Sequence, residues 1–163
     1  MLGKRKASLI LIVLVPLLIL CSNINKAESY YYLDSAIVYS ALSNHYQSTA
    51  NFFAMTGLFL ETWDYDGTWY YTQARDYMFE AKEYAYDAWL QALYGNYYYS
   101  TSMTSDAMNT AYQDYYYKVL TYNNLVSVTQ GNDLAGVDAI FNSYMADMNN
   151  GWAAALIGLS PYR

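Results

Sequence analysis

The sequence predicts an all-α protein: an antiparallel up-down-up-down four-helix bundle, tyrosine-rich and preceded by an N-terminal signal peptide. Three observations predict it. Tyr70, Tyr77 and Tyr84 recur every seven residues, each followed four residues later by Ala74, Ala81 or Ala88, which draws one seam along an α-helix. Four segments with four-and-three apolar spacing follow one another through short links, the pattern of consecutive bundle helices. Both prolines, Pro16 and Pro161, fall outside all four segments, and no alternating strand pattern competes.

Residues 1–29 read as the signal peptide and residues 30–163 as the bundle domain. Lys4, Arg5 and Lys6 form a positive start, Leu9 to Leu20 an apolar run, and Ala27-Glu28-Ser29 a small-x-small cleavage pattern. The apolar run is shorter than the roughly 20 residues a membrane span requires, and Pro16 interrupts it. Two rival readings accompany cleavage: an uncleaved signal anchor, and a lipid anchor on Cys21, the one cysteine. Against lipidation, Leu20 stands where a lipoprotein signal carries Gly, Ala or Ser. The expected location is secreted, periplasmic or cell-surface. A domain without disulfides must then be held by its core.

Helix 1 is expected from near Leu33 to about Thr62, with Val38, Leu42, His45, Thr49, Phe52, Thr56 and Phe59 facing inward. Gly57 weakens its last turns. Asp64 to Thr68 reads as a tight turn in which Asp66 or Thr68 caps helix 2. Helix 2, Trp69 to Gly95, carries the tyrosine–alanine seam and a second row of Tyr71, Met78, Ala85 and Ala92. After a loop from Asn96 to Thr104, helix 3 is expected to start at a Ser105 or Thr104 cap. Its inward face would be Met108, Tyr112, Tyr115, Val119, Tyr122 and Val126. Gly131-Asn132-Asp133 would close helix 3 and cap helix 4. Helix 4 would bury Leu134, Val137, Phe141, Tyr144 or Met145, and Met148, then break at Asn149-Asn150-Gly151 before a short terminal turn.

Charge narrows the function. The chain carries a net −6, and from Tyr30 onward 13 acids face only Arg75, Lys82, Lys118 and Arg163, a net −9. Such a surface repels phosphate backbones and anionic lipid, so neither nucleic acid nor membrane is an expected partner of the mature chain. Aromatic residues make up 19% of the chain, with 22 tyrosines, too much apolar mass for a disordered segment. Each buried tyrosine hydroxyl needs a partner, which the many Ser, Thr, Asn and Gln residues can supply.

Catalytic and metal sites find little support. A di-metal bundle needs two Glu-x-x-His pairs, and His45 is the one histidine. His45 is expected as a hydrogen-bonded core residue. Its sharper reading, an axial ligand of a non-covalent haem, lacks any Cys-x-x-Cys-His. No nucleophile elbow accompanies it. Asp76, Glu80, Glu83 and Asp87 form an acidic stripe opposite the seam, expected to face solvent. Trp63 to Trp69 resembles half a calcium loop, but Gln73 occupies the position where an acid belongs. No metal, cofactor or enzymatic activity is expected.

The tyrosine runs are the unusual feature. Neighbours on a helix diverge by about 100°, so Tyr115-Tyr116-Tyr117 cannot all enter one core. Chain direction would gather Trp63, Tyr65, Trp69, Tyr70 and Tyr71 at one tip. Tyr97, Tyr98 and Tyr99 would gather at the other with Tyr30 to Tyr32, Tyr94 and Tyr162. Exposed Tyr and Trp make rigid contact surface at low entropy cost. The expected function is therefore an exported, non-enzymatic interaction or structural protein that meets a protein partner, or its own copies, through these aromatic tips. Acidic flanks between the tips would make self-association end-to-end. The alternative is a small-ligand carrier: a bundle that stacks on carbohydrate or holds a non-covalent haem.

Overall fold

A computed structural model describes the backbone of residues 2–132 and 134–160, and the side chains of residue 21 and residues 23 onward within those ranges. The Lys4 to Leu20 side chains, the Asp133 cap and Tyr162 lie outside the described residues. The chain forms α1 (Leu2–Glu61), α2 (Thr68–Tyr98), α3 (Ser102–Thr129) and α4 (Leu134–Leu159), with no strand among the described residues. It is a helical bundle rich in tyrosine. Among the described residues no helix is long and apolar enough to cross a membrane.

Each helix buries a four-and-three seam, and the seams are made mostly of small residues. α1 buries Leu33, Ala36, Ser40, Ser43, Gln47, Ala50 and Ala54, while α2 buries Tyr71, Ala74, Met78, Ala81, Ala85, Ala88 and Ala92. Small seams let backbones approach until side chains reach across to the neighbouring helix. The Ser29 and Ser43 hydroxyls each donate across the α1–α2 contact, to the carbonyls of Gly95 and Ala81, both at 2.7 Å. Gly57 and Gly67 carry the approach further: a Cβ on Gly67 would stand 2.7 Å from the Gly57 carbonyl oxygen. On the α1–α4 side Gln47 donates to the Ser143 carbonyl at 2.7 Å, and Asn150 to the Ser40 carbonyl at 3.3 Å.

The bulky rings lie beside the seams and seal them. Between α1 and α2, Tyr46 stacks on Tyr84 at 5.4 Å and Phe53 on Tyr77 at 5.5 Å. Between α2 and α3, Tyr86 meets Tyr115 at 5.4 Å and Phe79 meets Tyr122 at 5.9 Å. Such pairs add about 0.5–1.5 kcal/mol each beyond their area.

Several expectations are corrected. On α1, Val38, Leu42, Phe52 and Phe59 are exposed, and His45 is exposed against the edge of Tyr46 rather than in the core. On α4, Leu134, Val137, Phe141, Tyr144 and Met148 are likewise exposed. The α3 seam is Ala107, Ala111, Asp114, Lys118, Thr121, Leu125 and Val128, one residue behind the expected face. α1 is one helix from Leu2, with no break near Leu33. Gly95 does not end α2, because it is buried where a Cβ would meet Leu33 at 2.8 Å. The 2–3 link is therefore shorter than expected, with Tyr97 and Tyr98 inside the helix. Thr101 caps α3, and Thr104 returns the bond as its capping-box partner. Asn149 and Asn150 do not break α4: Asn149 donates to the Met145 carbonyl, and Asn150 faces the core. Gly131, at φ 93°, ends α3 in the left-handed conformation that glycine adopts without strain.

Candidate functional site

The aromatic residues singled out above fall into two groups. Around the α1–α2 turn, Trp69 meets Tyr70 edge-on at 4.9 Å, and Phe53 lies 6.0 Å from Trp69 and 6.4 Å from Tyr70. Trp63 rests on Phe59 at 6.3 Å, and Tyr65 stands in solvent. The turn folds this way because the Trp63 and Tyr65 amides both donate to the Leu60 carbonyl while Asp64 takes φ 60°. Asp66 accepts from the Thr68 amide at 2.9 Å, and the Thr68 hydrogen bonding holds its carboxyl below the usual aspartate range. Trp63, Trp69 and Tyr65 are exposed, whereas Tyr70 is half-buried and Tyr71 is buried in the core rather than presented at the tip.

The second group gathers where the start of the tyrosine-rich part of α1 meets the end of α2. Tyr32 stacks on Tyr98 at 5.4 Å with planes 9° apart and leans on Tyr94 at 5.4 Å. Tyr97 meets Tyr98 edge-on at 5.5 Å and is 80% exposed. Lys26 bridges to Tyr99, 5.6 Å from its ring and from that of Tyr30. Burial, helped by Tyr98, pushes the Tyr32 hydroxyl above the usual tyrosine range. Leu93, Tyr94, Tyr97 and Tyr98 line a shallow groove of 300 Å³ here. Ring contacts thus join Trp69 to Tyr70 and Tyr97 to Tyr98, while Trp63 pairs separately with Phe59.

The acidic stripe of α2 does not converge. Asp76, Glu80 and Glu83 are exposed and Asp87 is half-buried, Arg75 pairs with Asp76 at 2.7 Å, and Lys82 pairs with Glu83. Lys82 also covers the Phe79 ring at 4.1 Å. Among the described residues no three His, Cys, Asp or Glu side chains stand close enough to hold a metal ion.

Sequence reasoning missed the buried polar layer at mid-bundle. Lys118 is 0% and Asp114 2% exposed, and they form an ion pair one turn apart on α3. Asn150 of α4 donates to the other Asp114 oxygen at 3.1 Å. Burial pushes the nearby Asp147 carboxyl up; Lys118 opposes the shift and Asp114 adds to it. Two turns along the bundle, Gln47 donates to both oxygens of Ser143, whose hydroxyl donates to Asn51. The layer separates two apolar clusters, one around Tyr71, Met78 and Leu125 and one around Leu33, Ala92 and Ile157. The available signal was the run Ala107, Ala111, Asp114, Lys118, Thr121, whose four-and-three spacing places a charged pair on a small-residue seam. Compared with protein-family models, curated proteins and solved structures, the chain matches none.

Proposed function

We propose that this is an exported, non-enzymatic helical protein that works by contact, through Tyr and Trp side chains presented at the tips of an antiparallel up-down-up-down bundle. In this reading residues 1–29 are a signal peptide and residues 30–163 the working domain. The cross-helix pairs Ser29–Gly95 and Ser43–Ala81 support opposed directions for α1 and α2, and Gln47–Ser143 with Ser40–Asn150 do so for α1 and α4. One observation carries the functional reading: Tyr97, Trp63, Tyr65 and Trp69 stay exposed although other rings of the chain pack into the helix interfaces. Large exposed aromatics are the side chains that supply most contact energy at protein interfaces. The apolar groove at Leu93, Tyr94, Tyr97 and Tyr98 favours a second reading, in which the tyrosine tip stacks on flat faces of a carbohydrate. The haem alternative loses its ligand, since His45 lies on the outer surface.

A photo-crosslinking residue placed at Tyr97 or Trp63, and at exposed Asn109 as a control, tests contact in the producing cells. Protein adducts at the two aromatic positions and not at the control are expected. Equal adducts at all three, or none, would overturn the reading. Saturable quenching of tyrosine fluorescence by oligosaccharides, without protein adducts, would favour the carbohydrate reading instead.

A further inference from the structure

The outer faces of α1 and α4 repeat the spacing of their inner seams. On α4, Leu134, Val137, Phe141, Tyr144 and Met148 follow one another at three-and-four intervals, all exposed, with Leu134 at 81%. The same progression continues through Gly151 to Gly158, where an added Cβ would meet nothing within 4 Å. On α1, Tyr31, Val38, Phe52, Met55 and Phe59 fall on one such exposed stripe, which Asp34, Ala41, His45 and Ser48 interrupt between Tyr31 and Phe52. Each of these helices therefore carries two seams, one used inside the bundle and one unused. The unused pair forms one surface, because Met55 and Tyr144 line the same shallow groove with Asn51 and Ile140.

We propose that this α1–α4 face binds a second copy of the same chain, with α1 of one copy laid along α4 of the other about a two-fold axis. The proposal goes beyond the contact reading above, since it concerns a different face and does not depend on the aromatic tips. Self-complementarity follows from the spacing: two stripes of equal period can interdigitate ridge into groove, as the inner seams do. Gly151 and Gly158 leave space for bulky side chains of an approaching helix. Charge points the same way. The described residues of α4 contain no lysine or arginine, and Asp34 and Asp138 are the exposed acids near these stripes. The α2 stripe of Asp76, Glu80 and Glu83 lies elsewhere, so copies meeting through α1 and α4 keep their acids apart. Association through this face is lateral, a different arrangement from the end-to-end contact expected from acidic flanks between the tips. The size fits as well. At 1.5 Å per residue and about 10 Å per helix, the two stripes cover about 40 by 20 Å, near the roughly 800 Å² per partner of a standard interface. A lipid surface is the weaker occupant, because the face offers no basic residue to anionic headgroups.

Sedimentation velocity on the protein as isolated from the producing cells, over 1–100 µM, tests this in three forms: wild type, Phe141→Lys/Met148→Lys, and Tyr97→Ser/Tyr98→Ser. Both substituted positions on α4 point to solvent in the single bundle, so circular dichroism should show its helicity unchanged. Dimeric wild type, a dimeric tip variant and an α4 variant weakened at least 100-fold in self-affinity are expected. A dimer lost in the tip variant and kept in the α4 variant would overturn the proposal and leave the contact reading standing. Wild type that stays monomeric to 100 µM would also overturn it. So would a monomer whose α4 face is protected from hydrogen exchange by vesicles of zwitterionic lipid. Absence of crosslinks at Tyr97 and Trp63 bears on the contact reading alone.

Discussion

Removing the carboxylate of Asp114 strips buried Lys118 of its direct ion-pair partner and leaves it the longer-range attraction of Asp147. Lys118 has no exposed surface, and the ammonium sits inside a seam of alanines and threonine. Two effects compete in the intact pair: desolvating both ions costs several kcal/mol each, and their attraction together with the Asn150 bond offsets most of that. In Asp114→Ala most of the offset disappears while Lys118 remains buried, so the expected loss is about 3–5 kcal/mol. For a domain of this size that lowers the midpoint of thermal unfolding by roughly 10–20 °C. The double variant Asp114→Ala/Lys118→Met removes both ions and keeps an unbranched chain of similar volume, so most of the loss should return. Urea unfolding followed by circular dichroism at 222 nm measures both. A loss below about 1 kcal/mol in the single variant would mean that Lys118 reaches water or is neutralised by Asp147, and the argument from an uncompensated buried charge would fail. A double variant as unstable as the single one would show that the pair itself, and not its uncompensated half, carries the energy.

Asp147→Asn should stabilise the bundle at neutral pH. Burial raises the folded-state pKa of Asp147 above its ordinary 3.8, so the fold favours the protonated form. Its stabilising contribution is complete below 3.8 and is lost as pH rises through the raised folded value. The gain from Asn should therefore be full at pH 7 and vanish below 3.8, and a gain that grew on acidification would refute the assignment. Gly67→Ala places a methyl 2.7 Å from the Gly57 carbonyl oxygen, and backbone cannot swing aside as a side chain can. A loss of about 1–3 kcal/mol is expected from chemical denaturation, and a neutral result would mean the α1–α2 turn is looser in solution.

The four helices were legible in the sequence, because heptad spacing, the Gly131 stop and the Asp64–Thr68 turn mark them locally. The seam of α2 was legible in part: Ala74, Ala81 and Ala88 with Tyr71, Met78, Ala85 and Ala92 are buried, whereas Tyr70, Tyr77 and Tyr84 are half-buried beside them. Elsewhere the same period was read on the wrong face. The expected α1 residues Thr49 and Phe52 stand two positions from the buried Gln47 and Ala50, a rotation of about 200°. On α4, Val137 and Phe141 stand two positions from the buried Ala139 and Ser143 in the same way. Spacing identifies a stripe but not which of two stripes turns inward. Bulky residues outweigh alanine and serine in such a reading, and here the small residues set the helix separation. The aromatic groups at Trp69 and at Tyr97 were legible from chain order. The Asp114–Lys118–Asn150 layer was not, because its third member comes from another helix.

That layer bears on a difficulty of repetitive interiors. A seam of alanine and serine at constant period buries nearly the same surface when one helix slides along its neighbours by seven residues. Sliding α4 one way would bring Ile157 to the place of Asn150, leaving an Asp114 oxygen without its donor. Sliding it the other way would bring Ser143 there and strip Gln47 of the group it holds now. Hydrophobic burial alone barely separates these arrangements, whereas each displaced hydrogen bond in the interior costs about 1–3 kcal/mol. A few polar atoms thus give an otherwise sliding ladder one place to lock.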